Sequence, residues 1–274
     1  GTLKIFISRM ATKETFWVFS GDDFNLNISS PNSPGLLVLA NDPRTQSINS
    51  ACLSTILNRV TKLINTKGNL PVGLIVDEAP SVYIHKIDIL LAQARSNLSA
   101  VVIGVQELPM LRQQYGKETA DTIISIMGNI LSGAVRNKET LEWLERILGK
   151  VKQKGESISI DRNKTTVSYN EKLDYLIPSG KIASLSTGEI VGLTARDRID
   201  KFTGQFQTTA IHCRVDLDQQ ELTKEESSYL DMPQYYDFGD KKEQILAENF
   251  TRITDQVKQM VSKILSSRAS PPSF

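Results

Sequence analysis

Short apolar runs alternate along this chain with stretches of helical period. Phe16-Trp17-Val18-Phe19 and Leu36-Leu37-Val38-Leu39, each bounded by Gly, Asn, Asp or Pro, predict two buried strands. From Ile48, the positions Leu53, Ile56, Leu57, Val60, Leu63 and Ile64 recur at helical spacing. Ser47 is placed to cap this amphipathic helix and Gly68-Asn69 to end it. Val72–Val76, a helix through Leu90, Leu91 and Ala94, and Val101–Val105 then form a strand, helix, strand unit. Its crossover is long enough for parallel pairing, and both strands are apolar throughout, as a sheet covered on both faces requires. The expected class is α/β.

A helix near Thr119–Ile126, a strand near Ile130–Val135 and a helix from Glu139 to Leu148, stopped at Gly149, continue the alternation. Ser157–Tyr169 reads as a solvated edge hairpin, and Glu189–Leu193 and Thr209–Val215 as two further strands. Leu217–Asp240 is acidic, rich in tyrosine and without periodicity, which reads as an extended connector. Leu246, Phe250, Ile253, Val257, Met260 and Ile264 then form a heptad-like seam. Packing of that helix back on the domain is the simpler reading, a coiled-coil partner the other. The resulting division is a domain over 1–216, a connector over 217–240, and a C-terminal helix and tail over 241–274.

Composition narrows this without changing it. The 274 residues are 40% hydrophobic and 23% charged, as in ordinary globular proteins. A net charge of +1 makes no electrostatic claim on nucleic acid, so any DNA contact must be local. Two cysteines, Cys52 and Cys213, and two histidines leave too few soft ligands for a zinc site. Their pairing stays open, although a reducing cytosol fits such sparse cysteine better than a secreted scaffold. No apolar run approaches the roughly 20 residues that span a bilayer. Gly1 in place of Met reads as a leftover tag residue on a piece of a longer chain.

The chemistry concentrates at the ends of two strands. Gly73-Leu74-Ile75-Val76-Asp77-Glu78 is an apolar strand ending in two carboxylates, at the end of an α/β sheet where ligands sit. Nucleotide hydrolases need one carboxylate there for the water shell of Mg²⁺, here Asp77, and one to orient the attacking water, here Glu78. Gln106, at the tip of the next strand, could sense a γ-phosphate, and Arg95 could act across a subunit boundary. The bland alternatives are caps for the acids, an exposed loop amide for Gln106 and a charge complementing the helix dipole for Arg95. The phosphate-binding pattern G-x-x-x-x-G-K-[ST] does not occur: Lys follows Gly at Gly116, Gly149 and Gly180 without the rest of it.

The series Asp42-Pro43-Arg44-Thr45-Gln46, Leu74-Ile75-Val76-Asp77-Glu78-Ala79-Pro80, Ala94-Arg95-Ser96-Asn97, Gly104-Val105-Gln106-Glu107, Leu111-Arg112-Gln113-Gln114-Tyr115-Gly116 and Gly128-Asn129 resembles the C-terminal motor region of TraG/TraD-type conjugative coupling proteins. The resemblance runs from about Phe16 to Asp197 and is most specific between Leu74 and Asn129. It implies a RecA-like, P-loop-NTPase-like, mostly parallel sheet lacking the P-loop strand, with an edge hairpin and a C-terminal helix. It further implies an ATPase using ATP and Mg²⁺ in the intact parent, a hexameric ring, and the cytoplasmic domain of a protein attached to the bacterial inner membrane. That protein would drive single-stranded DNA, with its relaxase, into a type IV secretion channel. By motif, Asp77 and Glu78 correspond to the Walker B pair, with Mg²⁺ on Asp77 through water. Gln106 corresponds to the phosphate-sensing glutamine, and Arg95 to the inter-subunit arginine. Without the P-loop, the chain alone is expected neither to bind ATP tightly nor to hydrolyse it. A second reading is a docking module for a relaxosome accessory protein of the TraM type, with the acidic 217–240 segment as a candidate surface. A third is a divergent α/β domain that has lost catalysis.

Overall fold

The computed structural model describes residues 7–8, 10–161, 164–195, 209–230 and 236–269. The chain divides into two compact units: residues 1–72, 82–85 and 229–274 form the first, and 73–81 with 86–228 the second.

In the first unit, helix α1 (Lys13–Phe19) is capped by Thr12, whose side chain accepts from the Thr15 N–H at 3.1 Å. This corrects the strand predicted at Phe16–Phe19. Four consecutive apolar residues fit either period, and here the choice follows from packing: Phe16 lies on Phe250 at 4.6 Å, and Trp17 lies against Tyr236 at 4.9 Å. Leu36–Leu39 forms no strand, contrary to the expectation, and Leu36 and Val38 are exposed. Helix α2 (Gln46–Ile64) forms as its periodicity predicts, burying Leu57, Val60 and Ile64. It begins one residue before Ser47, the expected cap, after a 3₁₀ turn over Pro43–Thr45 capped by Asp42. Asn58 and Ser54 of α2 accept backbone N–H groups from His85 at 2.7 Å and Tyr83 at 3.1 Å.

The second unit opens with β1 (Val72–Val76), α3 (Ile87–Ala94) and β2 (Ser99–Ile103). β1 and β2 form a small parallel sheet. Helices α4 (Leu108–Tyr115) and α5 (Lys117–Ile126) follow, the first of them not foreseen from the sequence. They pack Leu108, Leu111, Tyr115, Ala120 and Ile123 into the core beside Ile87, Leu90 and Leu91 of α3. Then come β3 (Ile130–Ser132) and α6 (Lys138–Leu148). The hairpin β4 (Lys150–Asp161) and β5 (Lys164–Tyr175) has longer arms than expected, and its tip at 162–163 lies outside the described residues.

A short α7 (Ser179–Ala183) leads to β6 (Glu189–Leu193) and β7 (Ala210–Arg214). These two strands join β3 in an antiparallel sheet of order β3-β6-β7. Leu144, Leu148, Ile177, Ile182, Leu185 and Val191 are its buried core. Parallel pairing among the described strands is therefore confined to β1 and β2, and the expectation of a mostly parallel sheet is corrected to a mixed arrangement. The cause is visible at β3, which pairs with β6 and leaves its other edge unpaired by any described strand.

The connector expected over 217–240 contains a helix, α8 (Gln219–Ser227), and residues 231–235 of it lie outside the described set. Asp218 caps α8 by accepting from the N–H groups of Gln220 and Glu221. No α8 residue is buried, so there is no apolar stripe for a periodicity reading to find. The predicted C-terminal helix is α9 (Lys242–Ala269), in the first unit, and its first turns pack on α1. Both cysteines are free. No helix among the described residues is long and apolar enough to cross a membrane.

Candidate functional site

The ends of β1 and β2 are locked together by backbone bonds: the Gly104 N–H donates to the Val76 carbonyl at 2.7 Å, and the Ala79 N–H donates to the Gly104 carbonyl at 3.0 Å. This closeness requires glycine, because a methyl at Gly104 would collide with the carbonyl oxygen of Asp77. Just past the crossing, Gln106 Nε2 donates to Glu78 Oε2 at 2.9 Å. Two of the four expected site residues thus meet, from strands 28 positions apart in sequence.

Glu78 is half-buried, and its Oε1 is buried without a hydrogen-bond partner. A carboxylate oxygen in that state lacks a donor, such as a water proton. Asp77, the preceding residue, is exposed. Neither carboxylate caps α3, which begins only after Lys86 in the left-handed region (φ 57°); directly after them comes a single 3₁₀ turn over Ala79–Ser81, whose Ser81 N–H donates to the Glu78 carbonyl at 3.0 Å. Arg95 is exposed at the C-terminal end of α3, outside the Glu78–Gln106 pair.

Among the described residues no cluster of three or more His, Cys, Asp or Glu could hold a metal ion. Mg²⁺ typically keeps several waters and takes one or two carboxylates plus substrate phosphates, and exposed Asp77, followed in sequence by Glu78 with its unpartnered Oε1, fits that reduced donor set.

Two features were not foreseen from the sequence. The first is Glu107, whose Oε1 accepts the backbone N–H groups of Arg136 and Asn137, both at 3.2 Å. Asn137 in turn caps α6, and buried Thr140 accepts the Leu108 N–H at 3.2 Å. These contacts tie the segment after β3 to the tip of β2 across some thirty residues of sequence, which local pattern does not reveal. The second is a cleft of about 620 Å³ between the two sheets, lined by Val101, Ile103, Gln106, Ile130, Ser132 and Trp143 among others. Its walls include β2 and β3, each at the edge of its sheet. In addition, Ile75 and Val102, on one face of the parallel pair, are 76% and 57% exposed. Strands apolar on both faces therefore have one face bare within this unit.

A parallel β-α-β pair with a carboxylate and a glutamine joined at its tip places those groups at the carboxyl ends of strands, the end at which open α/β sheets bind their ligands. More particularly, residues 71–187 match the family described as the TraM recognition site of TraD and TraG. The resemblance carried by the motifs is therefore borne out over this segment. No curated protein matches the chain. Solved structures of similar fold include the bacterial conjugative coupling protein TrwBdeltaN70 in its unbound monoclinic form, at 18% identity and TM-score 0.59. TrwB with the non-hydrolysable GTP analogue GDPNP and TrwB with ADP and Mg²⁺ are both at 16% identity and TM-score 0.56. In each case the likeness covers 72% of this chain and 44% of the other. At such identities it shows the fold, and this chain spans less than half the length of the proteins it matches.

Proposed function

We propose that this chain is the Walker B half of a conjugative coupling motor that, when complete, drives ATP-dependent transfer of DNA into a type IV secretion channel. The observation that carries the reading is the Glu78–Gln106 hydrogen bond at the carboxyl end of a parallel pair, beside a cleft bounded by two strand edges that no described strand pairs. A further strand in that cleft would complete a RecA-like sheet and bring a phosphate-binding loop to the tip where Gln106 stands. The bare face at Ile75 and Val102 supports the same reading, since a doubly covered sheet needs partners beyond this unit.

In the complete site Asp77 would hold Mg²⁺ through its water shell, and the ion, when bound, would supply charge neutralisation at the phosphates. Glu78 would take a proton from the attacking water at its unpartnered Oε1 once the site rearranges to admit that water. Gln106 holds the other oxygen in the resting state and turns to the γ-phosphate when nucleotide arrives. Arg95, exposed at a helix end, serves a neighbouring subunit of a hexameric ring. The partners of the whole protein are relaxosome components, single-stranded DNA and channel proteins, and this domain lies on the cytoplasmic side of the inner membrane.

A second reading, a relaxosome-docking module, is favoured by the family description attached to residues 71–187. Hydrolysis by the full parent protein and its Glu78→Gln variant separates the two. The motor reading expects a parental ATPase that falls by about a hundredfold or more in Glu78→Gln, the usual scale for a lost general base. A parent with no hydrolysis and no phosphate loop leaves docking as the function.

A further inference from the structure

Helix α9, 28 residues long, changes its surroundings along its length. Its first turns bury Leu246 and Asn249, and Phe250 rests on Phe16. Beyond these turns Val257, Met260, Val261, Ile264 and Leu265 are all between 45% and 63% exposed. They follow the spacing i, i+3, i+4, i+7, i+8, which at 3.6 residues per turn is one continuous stripe about 140° wide. That is broader than the two-position seam of a coiled coil.

Charge decides what can cover the stripe. From Gln256 to Ala269 the sequence has Lys258, Lys263 and Arg268 and no Asp or Glu. The acid just before, Asp255, is already held by Lys258 at 3.2 Å. If two copies paired along this segment, every charge their distal halves could exchange would be positive, in either orientation. A parallel pair continuing the heptad would set Lys263 against Arg268, a repulsive g–e′ contact. The cover must therefore be anionic as well as apolar. Protein grooves are typically engaged through aromatic or arginine anchors, and this stripe is aliphatic and methionine only. An anionic bilayer surface asks for less: an apolar face for the acyl boundary and flanking cations for the headgroups.

We propose that the distal half of α9, Val257–Ala269, is a membrane-surface helix that lies in the headgroup layer of an anionic bilayer. Val257, Met260, Val261, Ile264 and Leu265 face the acyl chains, with Lys263 at the phosphates and Lys258 exchanging its exposed Asp255 partner for them. The proposal is independent of the motor reading, because it uses none of the residues of the strand-tip site.

The test is cosedimentation of the 274-residue chain with vesicles of phosphatidylcholine alone and of phosphatidylcholine mixed with phosphatidylglycerol. Binding is expected to the mixed vesicles and to be weak or absent on the neutral ones, and to fall as salt is raised. The double variant Val261→Ser, Leu265→Ser and the single variant Lys263→Glu should each weaken partitioning about tenfold or more, the effect of lost methylenes and a reversed charge. These side chains are exposed, so the fold is expected to survive, which a circular dichroism spectrum checks. Equal binding to both vesicle types, no binding to either, or full binding by the double-serine variant overturns the proposal. A dimer in sedimentation equilibrium that Leu265→Ser abolishes would overturn it as well, by showing a second copy on the stripe.

Discussion

Gly104 is a single residue on which the strand-tip geometry turns. Any side chain there meets the carbonyl of Asp77, so Gly104→Ala must push β1 and β2 apart at the point where Glu78 and Gln106 join. The expected loss is about 1–3 kcal/mol, the usual range for overpacking, read as a lower urea midpoint. The carboxylates at this tip were legible in the sequence, because an apolar strand ending in Asp77-Glu78 is a local pattern. So was Gln106 as a strand-tip residue. Glu107 was not: its acceptance of the N–H groups of Arg136 and Asn137 depends on a loop that only folding brings near.

At the scale of elements, capping and packing explain both agreements and corrections. Asn137 starts α6 by accepting from the N–H groups of Glu139 and Thr140, and Asn137→Ala should cost about 1 kcal/mol in urea unfolding. Leu144, 1% exposed on the same helix, lies in the core cluster, where Leu144→Ala should cost about 3 kcal/mol through the cavity it leaves.

Three carboxyls at turns and caps ionise more readily in the folded chain. Asp42 does so through the Arg44 side chain, Glu14 through a backbone N–H at the start of α1, and Glu189 through the Ser186 N–H. Their folded pKa values are lowered, so their contribution is present above the ordinary carboxylate range and lost as pH falls through it. Thermal unfolding is expected to be flat near neutrality and to drop below about pH 4. Helix α8, by contrast, has polar exposed residues and one Asp cap, and a helix without a buried face leaves no periodic trace.

At the scale of the whole molecule, the second unit carries a cleft lined by β2 and β3 and an exposed face at Ile75 and Val102, the features on which the proposal of a missing strand rests. Isothermal titration of this chain with ATP and Mg²⁺ should give no binding at millimolar nucleotide, since backbone N–H groups of a phosphate loop supply most of that affinity. Tight binding would show that the strand-tip residues suffice alone. By itself the sequence determined the α/β class, the amphipathic helices α2, α6 and α9, the paired carboxylates and the family resemblance. Each of these is written in residues near one another in the chain, as period, cap or motif. Tertiary structure alone decided that Phe16–Phe19 is helical and that β3 pairs antiparallel with β6. It also decided that Glu78 meets Gln106 and that half of α9 is left uncovered. Those outcomes depend on which distant groups arrive as neighbours, because an apolar run, a strand edge or a carboxylate oxygen has several acceptable partners until packing leaves it one.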